Sequence, residues 1–222
     1  MSVGYRGKIL TINLDSGEVG VELLPDSLYR DYIGGVGLGV KLLYDRQRGG
    51  VDALSEENIL GFMPGLLSGT IVPCSSRLTV VSKSPLTGGW GDSSVGGHIA
   101  YELKCAGYDG IFFWGISPKP VYLLIYKDNV QLRDASHLWG LDTTDTENKL
   151  RGELEDNKLR IASIGPSGES MSLIASITSD KRAAARSGLG AVMGSKRLKA
   201  IAIHNEDKVP VADLQIWHSY DI

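Results

Sequence analysis

The order of secondary-structure signals in this 222-residue chain occurs twice, and that repetition constrains the fold more than any single motif. Residues 7–13 (GKILTIN) alternate as a half-buried strand, Asp15-Ser16-Gly17 turns the chain, and residues 18–24 return as a second strand. A short helix follows from Pro25-Asp26 to Tyr32, with Asp26 as the expected N-cap. Gly34, Gly35, Gly37 and Gly39 read as a glycine-rich loop feeding the helix VKLLYDRQ, whose apolar positions Val40, Leu43 and Tyr44 share one side. Residues 59–63 form a strand ending at Pro64-Gly65. Arg77 leads into a strand over 78–82, and residues 85–89 turn the chain. A loop over 92–97 precedes a helix over 98–106 that Gly107 stops. Residues 110–115 (GIFFWG) then make a buried strand.

From Lys119 the order starts again. Residues 121–127 and 130–133 form a hairpin around Asp128-Asn129, and residues 143–154 a helix capped by Thr143 or Thr144. Residues 161–164 are a strand ending in the turn Gly165-Pro166-Ser167-Gly168, an echo of Pro64-Gly65. Residues 173–178 match the strand 78–82. A loop and short helix come next, and 200–204 (AIAIH) match GIFFWG. The repetition predicts an internal duplication, residues 4–115 and 119–204, with pseudo-twofold symmetry.

Composition sets the class. The chain is 42% hydrophobic and 22% charged, as expected of a globular protein long enough to bury a substantial core. A net charge of −3 argues against nucleic acid as a partner. No apolar run reaches membrane-span length and no leader pattern opens the chain, so a cytoplasmic protein without membrane contact is the expectation. Cys74 and Cys105 are far apart and outside any CxxC pair, so free buried thiols are expected and an iron–sulfur cluster cannot be ligated. The four histidines have no HxxxH spacing, which removes a dedicated metal site of that kind.

The stretch 180–196 (DKRAAARSGLGAVMGSK) sets Arg182 and Arg186 among Gly188, Gly190 and Gly194, ahead of a short helix. Glycine admits close backbone approach, a helix start offers free N–H groups, and a guanidinium fork matches phosphate. These features read as a phosphate seat; the local alternative is a tight turn whose arginines face water. The duplication places the loops 92–97 and 182–190 across a shared axis, with Arg77 and Arg182 approaching from related sides. That arrangement suits a ligand with two phosphate groups, or two copies of one ligand. Dinucleotide and P-loop fingerprints fail, because Met193 stands where a third glycine belongs and no GxxxxGK[ST] occurs. No GxSxG elbow is present either.

GKILTINLDSGEV, YIGGVGLGVKLLY, SKSPLTGG, GGHIAYELKCAGYDGI, RDASHLWG, IASIGPSGE and RAAARSGLGAVMGSKRLKAIAI, in this order, resemble the N-terminal domain of the aldehyde ferredoxin oxidoreductase family. The resemblance runs from about residue 4 to 213. It implies an α+β fold of two mainly antiparallel β-sheets, related by a pseudo-twofold axis, with short helices. It implies a cofactor-binding domain over residues 1–210, with 211–222 beginning a linking helix to later domains. The family oxidises aldehydes to carboxylic acids with a tungsten (or molybdenum) bis-pterin cofactor whose phosphates are bridged by Mg²⁺. Electrons leave through a [4Fe–4S] cluster, held outside this chain, to ferredoxin.

Residue by residue, the resemblance sets Arg77 on the cofactor and Ser94, Val95, Gly96 and Gly97 against the pterin. Arg182, Ala183, Arg186 and Gly188 fall in the second contact segment. The Ala183 carbonyl helps to hold Mg²⁺. Ser94 stands where the family commonly supplies the other magnesium-binding carbonyl from asparagine, and this departure puts magnesium binding in question. No catalytic residue falls within the chain, so these residues alone are expected to be inactive. A non-catalytic pterin-binding or docking module acting with a separate catalytic chain stays open beside the enzyme-domain reading, as does a homo-oligomer.

Overall fold

The computed structural model describes residues 3–127 and 129–212. In the first half, β1 (Lys8–Asn13) and β2 (Val19–Leu23) form a hairpin. There follow α1 (Asp26–Tyr32), α2 (Gly35–Arg46), β3 (Leu60–Pro64), β4 (Arg77–Lys83), β5 (Trp90–Gly96), α3 (Ile99–Cys105) and β6 (Gly110–Trp114). The second half gives β7 (Val121–Tyr126), β8 (Asn129–Asp134), a 3-10 turn at Ser136–Leu138, α4 (Thr143–Glu153), β9 (Arg160–Ser163) and α5 (Pro166–Glu169). It continues with β10 (Ile177–Ser179), β11 (Arg182–Ala184), α6 (Leu189–Ser195) and β12 (Leu198–His204).

Each half builds a six-stranded mixed sheet, one ordered β2-β1-β6-β3-β4-β5 and the other β8-β7-β12-β9-β10-β11. Every strand of the first sheet has a counterpart at the same place in the second. The counterparts also agree in direction: β1 runs parallel to β6 and β7 to β12, while the remaining described pairs are antiparallel. The two sheets thus repeat one topology, in the element order read from the sequence.

Side-chain alternation decides the layers. Leu10 and Ile12 of β1, with Leu123 and Ile125 of β7, enter one core shared by both sheets, into which α3 and α6 send Ile99, Leu103, Leu189, Val192 and Met193. Ile9 points to the opposite face, where Leu38, Leu42 and Leu43 of α2 cover the first sheet. Tyr122 and Leu124 do the same beneath Leu150 of α4 on the second. Each fully buried aliphatic side chain contributes about 1.5–3 kcal/mol, so the shared core binds the two halves into one body.

The structure corrects several sequence expectations. Asp26 is the first residue of α1 rather than its cap; Pro25 precedes the helix and no side chain caps it. The α4 cap is Asp142, whose carboxylate accepts from Asp145 N–H at 2.8 Å, not Thr143 or Thr144. The glycines at 35, 37 and 39 lie inside α2, not in a loop, because a β-carbon at Gly39 would press on Met63 and Val81 at 3.1 Å. Small residues there let the helix sit close on the sheet. Leu43 is buried, whereas Val40 and Tyr44 are exposed, so the buried stripe runs through Leu38 and Leu42 instead.

Residues 92–97 belong largely to the strand β5, not a loop, and residues 182–184 to β11. Of the expected strand 173–178, only its end is ladder, since β10 starts at Ile177. The turn at 165–168 is mostly the short helix α5. Cys105 is buried and free as expected, but Cys74 is free and exposed. Asp128 in the β7–β8 turn, and Trp217 and Tyr220 in the expected linking helix, lie outside the described residues.

Candidate functional site

The geometry starts with two edge strands. In β5, Val95 points into the shared core, so its neighbours Ser94 and Gly96 face the other way. Pairing with β4 sets Ser94 opposite Thr79 and Gly96 opposite Arg77. Ser94 Oγ lies 3.3 Å from Thr79 Oγ1. In β11, Ala184 enters the same core and Ala183 faces outward, opposite Thr178 of β10. Ser94 and Ala183 therefore occupy equivalent places in the two halves: each lies just before a buried edge-strand residue and across from a threonine.

The two edge strands meet. Ser93 Oγ accepts from Arg186 N–H at 3.1 Å, and Ser187 Oγ donates to the Asp92 carbonyl at 3.3 Å. Farther along, a β-carbon at Gly96 would lie 3.6 Å from Arg182 Cδ, and His98 N–H donates to Asp180 Oδ2 at 2.7 Å. Ser94 and Ala183 fall between these contacts. As edge strands of separate sheets, both present backbone N–H and C=O groups along the seam.

Charge gathers there in a chain of net charge −3. Arg77, Arg182 and Arg186 are exposed, and among the described residues no side chain or backbone group partners any of the three guanidinium groups. Arg182 also reaches a cleft of about 270 Å³ lined by Cys74, Ser76, Gly97, His98 and Tyr101. The Tyr101 phenol is held above its ordinary range by the neighbouring Cys105 and by burial, so it remains a hydrogen-bond donor. Unpaired guanidinium groups beside glycines are the kind of group that pairs with phosphate or carboxylate oxygens.

The structure thus brings Arg77, Ser94, Gly96, Gly97, Arg182, Ala183 and Arg186 to one seam. Two other expected residues lie beneath it. The Val95 side chain is buried, which leaves only its backbone at the seam. Gly188 is buried at φ +66, against the Leu173 carbonyl and Pro85, and sets the turn before α6. The start of α6 is buried too, with Gly190 N–H donating to the Ala175 carbonyl at 3.1 Å and Ala191 N–H to the Gly188 carbonyl, so these N–H groups are already engaged within the protein. Sequence reasoning passed over Thr79, Ser93 and Asp180. Thr79 and Ser93 are legible only once the β4–β5 pairing is known, and Asp180 only once the β10–β11 pairing and its contact with His98 are known.

Comparison with known proteins bears on the family and the fold. The family model for the aldehyde ferredoxin oxidoreductase N-terminal domain matches residues 9–205. The tungsten-containing aldehyde ferredoxin oxidoreductase of Thermococcus kodakarensis is 47% identical over 213 residues, which cover 96% of this chain and 35% of the relative. The aliphatic sulfonate oxidoreductase, WOR-like subunit, of Pyrococcus furiosus is 35% identical over 96% of this chain and 38% of the relative. Among solved structures, a chain of the active site complex BamBC of benzoyl coenzyme A reductase, in complex with 1,5-dienoyl-CoA, superposes with a TM-score of 0.96 at 38% identity. That match covers 99% of this chain and 34% of the other. The chain therefore spans about a third of the length of these relatives, and by sequence, topology and structural match it belongs to the aldehyde ferredoxin oxidoreductase family, as its N-terminal domain.

Proposed function

We propose that this chain seats the phosphate groups of a tungsten (or molybdenum) bis-pterin cofactor along the β5–β11 seam, within an enzyme that oxidises aldehydes to carboxylic acids. The observation that carries the reading is the set of three exposed arginines along the seam whose guanidinium groups have no partner among the described residues: Arg77 opposite Gly96, Arg182 against Gly96, and Arg186, whose backbone N–H donates to Ser93. The residues fit the group: guanidinium forks pair with phosphate oxygens, and the glycines leave room for a planar ring system. When bound, the metal of the cofactor supplies the two-electron acceptor for the aldehyde.

The chain's own groups bind and orient. Arg77 and Arg182 neutralise phosphate charge from opposite halves, and Arg186 adds a third cation. Ser94 and Ala183, at equivalent places, offer oxygen atoms, the hydroxyl of Ser94 and the backbone carbonyl of Ala183, on which Mg²⁺ can rest, with water filling its remaining positions. Gly188 and Val95 shape the seam from below. The cluster, the electron path to ferredoxin and the substrate-binding groups belong to regions outside this sequence. A second reading, a binding module working with a separate catalytic chain, draws support from relatives named as a subunit and as part of a complex.

The test is metal and pterin content after production in a host that makes the cofactor. Arg77→Met and Arg182→Met each remove a charge-assisted partner of a desolvated anion, a loss of about 2–5 kcal/mol. Both variants should carry far less tungsten or molybdenum than the parent while keeping its circular dichroism. Full occupancy in both would overturn the assignment.

A further inference from the structure

We infer that Asp180 is a positioning residue for this seat: its carboxylate, reaching across the seam, locks the β10–β11 turn in the shape that lays Arg182 over Gly96. The inference rests on the anion-seat reading above and names how that site is held.

Three observations converge on it. First, Ser179 pairs with Arg182, so Asp180 and Lys181 alone make the turn. Both have positive φ, 49° and 60°. Two consecutive left-handed residues define the turn that suits a tight hairpin, and Asn-Gly is its usual occupant. Here both positions carry a β-carbon, so the turn needs outside support. Second, that support comes from both halves of the molecule: His98 from the first, and Arg160 and Glu147 from the second, where the Glu147 carboxylate accepts from the Asp180 backbone N–H. Asp180 Oδ2 accepts from His98 N–H at 2.7 Å and lies 3.4 Å from His98 Nδ1. Its other oxygen is 3.5 Å from Arg160. The side chain is only 12% exposed.

Third, the contact leaves no slack. Gly97 has φ +105, and a β-carbon there would come within 2.7 Å of Asp180 Oδ2. The carboxylate is therefore pressed onto the backbone that follows β5. Arg182 comes two residues later, and its Cδ lies 3.6 Å from where a Gly96 β-carbon would be. The charge of Asp180 is directed to Arg160 and His98. Arg182 is thereby held close to an acidic residue without being neutralised by it, which leaves its guanidinium free for a ligand. The same lock fixes Ala183, the next residue, beside Ser94.

The experiment compares the wild-type chain with Asp180→Ala, Asp180→Asn and Arg182→Met, using Mg²⁺ and inorganic pyrophosphate as the probe. Asn keeps an acceptor for His98 N–H and tolerates a left-handed turn; Ala keeps neither. Amide hydrogen exchange is read without ligand, pyrophosphate affinity by calorimetry, and folding by thermal melting. Asp180→Ala should speed exchange at His98 and over residues 179–184 and weaken pyrophosphate by about tenfold or more. The exchange of β3, β6 and β12 should stay as in wild type. Asp180→Asn should restore the affinity to within about threefold. Faster exchange in Asp180→Ala with wild-type affinity would overturn the positioning role, as would unchanged exchange. If Asp180→Ala melts too early to be measured, Asp180→Asn decides: affinity as poor as that of Arg182→Met refutes the geometric account. Wild type and Arg182→Met binding pyrophosphate equally would refute the anion seat itself, and the role of Asp180 at it.

Discussion

Gly96 and Gly97 are neighbours with opposite duties, and replacing each by alanine separates them. At Gly97 the backbone is left-handed (φ +105), which costs a residue with a β-carbon about 1–3 kcal/mol. The new methyl would also lie 2.7 Å from Asp180 Oδ2. Moving that carboxylate breaks a charged hydrogen bond to His98, worth about 1.5–3 kcal/mol. Gly97→Ala should therefore lose about 2–6 kcal/mol, and near the middle of that range the melting temperature falls by roughly 10 °C.

Gly96 has no such constraint. Its φ is not positive, and an added β-carbon meets Arg182 Cδ at an ordinary 3.6 Å. Gly96→Ala should match or slightly exceed wild-type stability, because alanine narrows the unfolded ensemble by about 0.4–1 kcal/mol. The methyl nevertheless occupies the seat, so cofactor affinity should drop by about 1–3 kcal/mol through overpacking. Differential scanning calorimetry and the metal-to-protein ratio read the two effects. A Gly97→Ala melting temperature within about 2 °C of wild type, or a Gly96→Ala variant destabilised as much as Gly97→Ala, would refute this division.

Lys196 is fully buried, its ammonium donating to the Gly115 carbonyl at 3.2 Å and to Glu56 O at 3.5 Å, and burial pushes its pKa down to about 8. The unfolded chain keeps the extra proton between about pH 8 and 10.5, so this residue makes stability rise with pH across that window, by on the order of 3 kcal/mol. Denaturation of wild type and Lys196→Met at pH 7.5 and 10 should show a difference between them that shifts toward wild type as pH rises. A constant difference would contradict it. Ser94→Asn, which replaces a hydroxyl by a longer side chain with an amide carbonyl oxygen, should raise the magnesium retained by cofactor-loaded protein. An unchanged magnesium-to-pterin ratio would show that serine or water already suffices.

What the sequence made legible follows from the physics of each segment. Apolar patterning located most strands within a residue or two: KILTIN by alternation, and LKAIAIH by a nearly continuous apolar run that packs on both faces. The element order then gave the duplication. Segments rich in glycine and serine misled the reading. Gly35 to Gly39 resembled a loop, yet helix-on-sheet contact at Met63 and Val81 favours the absence of a β-carbon. Asp92 to Gly96 resembled a loop because serine and glycine are poor strand formers, yet β4 pairs with it along its whole length. Arg77, Arg182 and Arg186 were visible from residue type and resemblance. Asp180 was not, since its partner His98 lies in the other half of the chain and only the fold brings them together.

On the function proposed above, the β5–β11 seam is where phosphate is held. A crystal structure of the protein loaded with its cofactor, with tungsten or molybdenum located by anomalous scattering, tests it most directly. The account predicts phosphate oxygens within hydrogen-bonding distance of the Arg77 and Arg182 guanidinium groups, on either side of Ser94 and Ala183. Cofactor bound elsewhere on the chain, with both arginines still facing solvent, would contradict it.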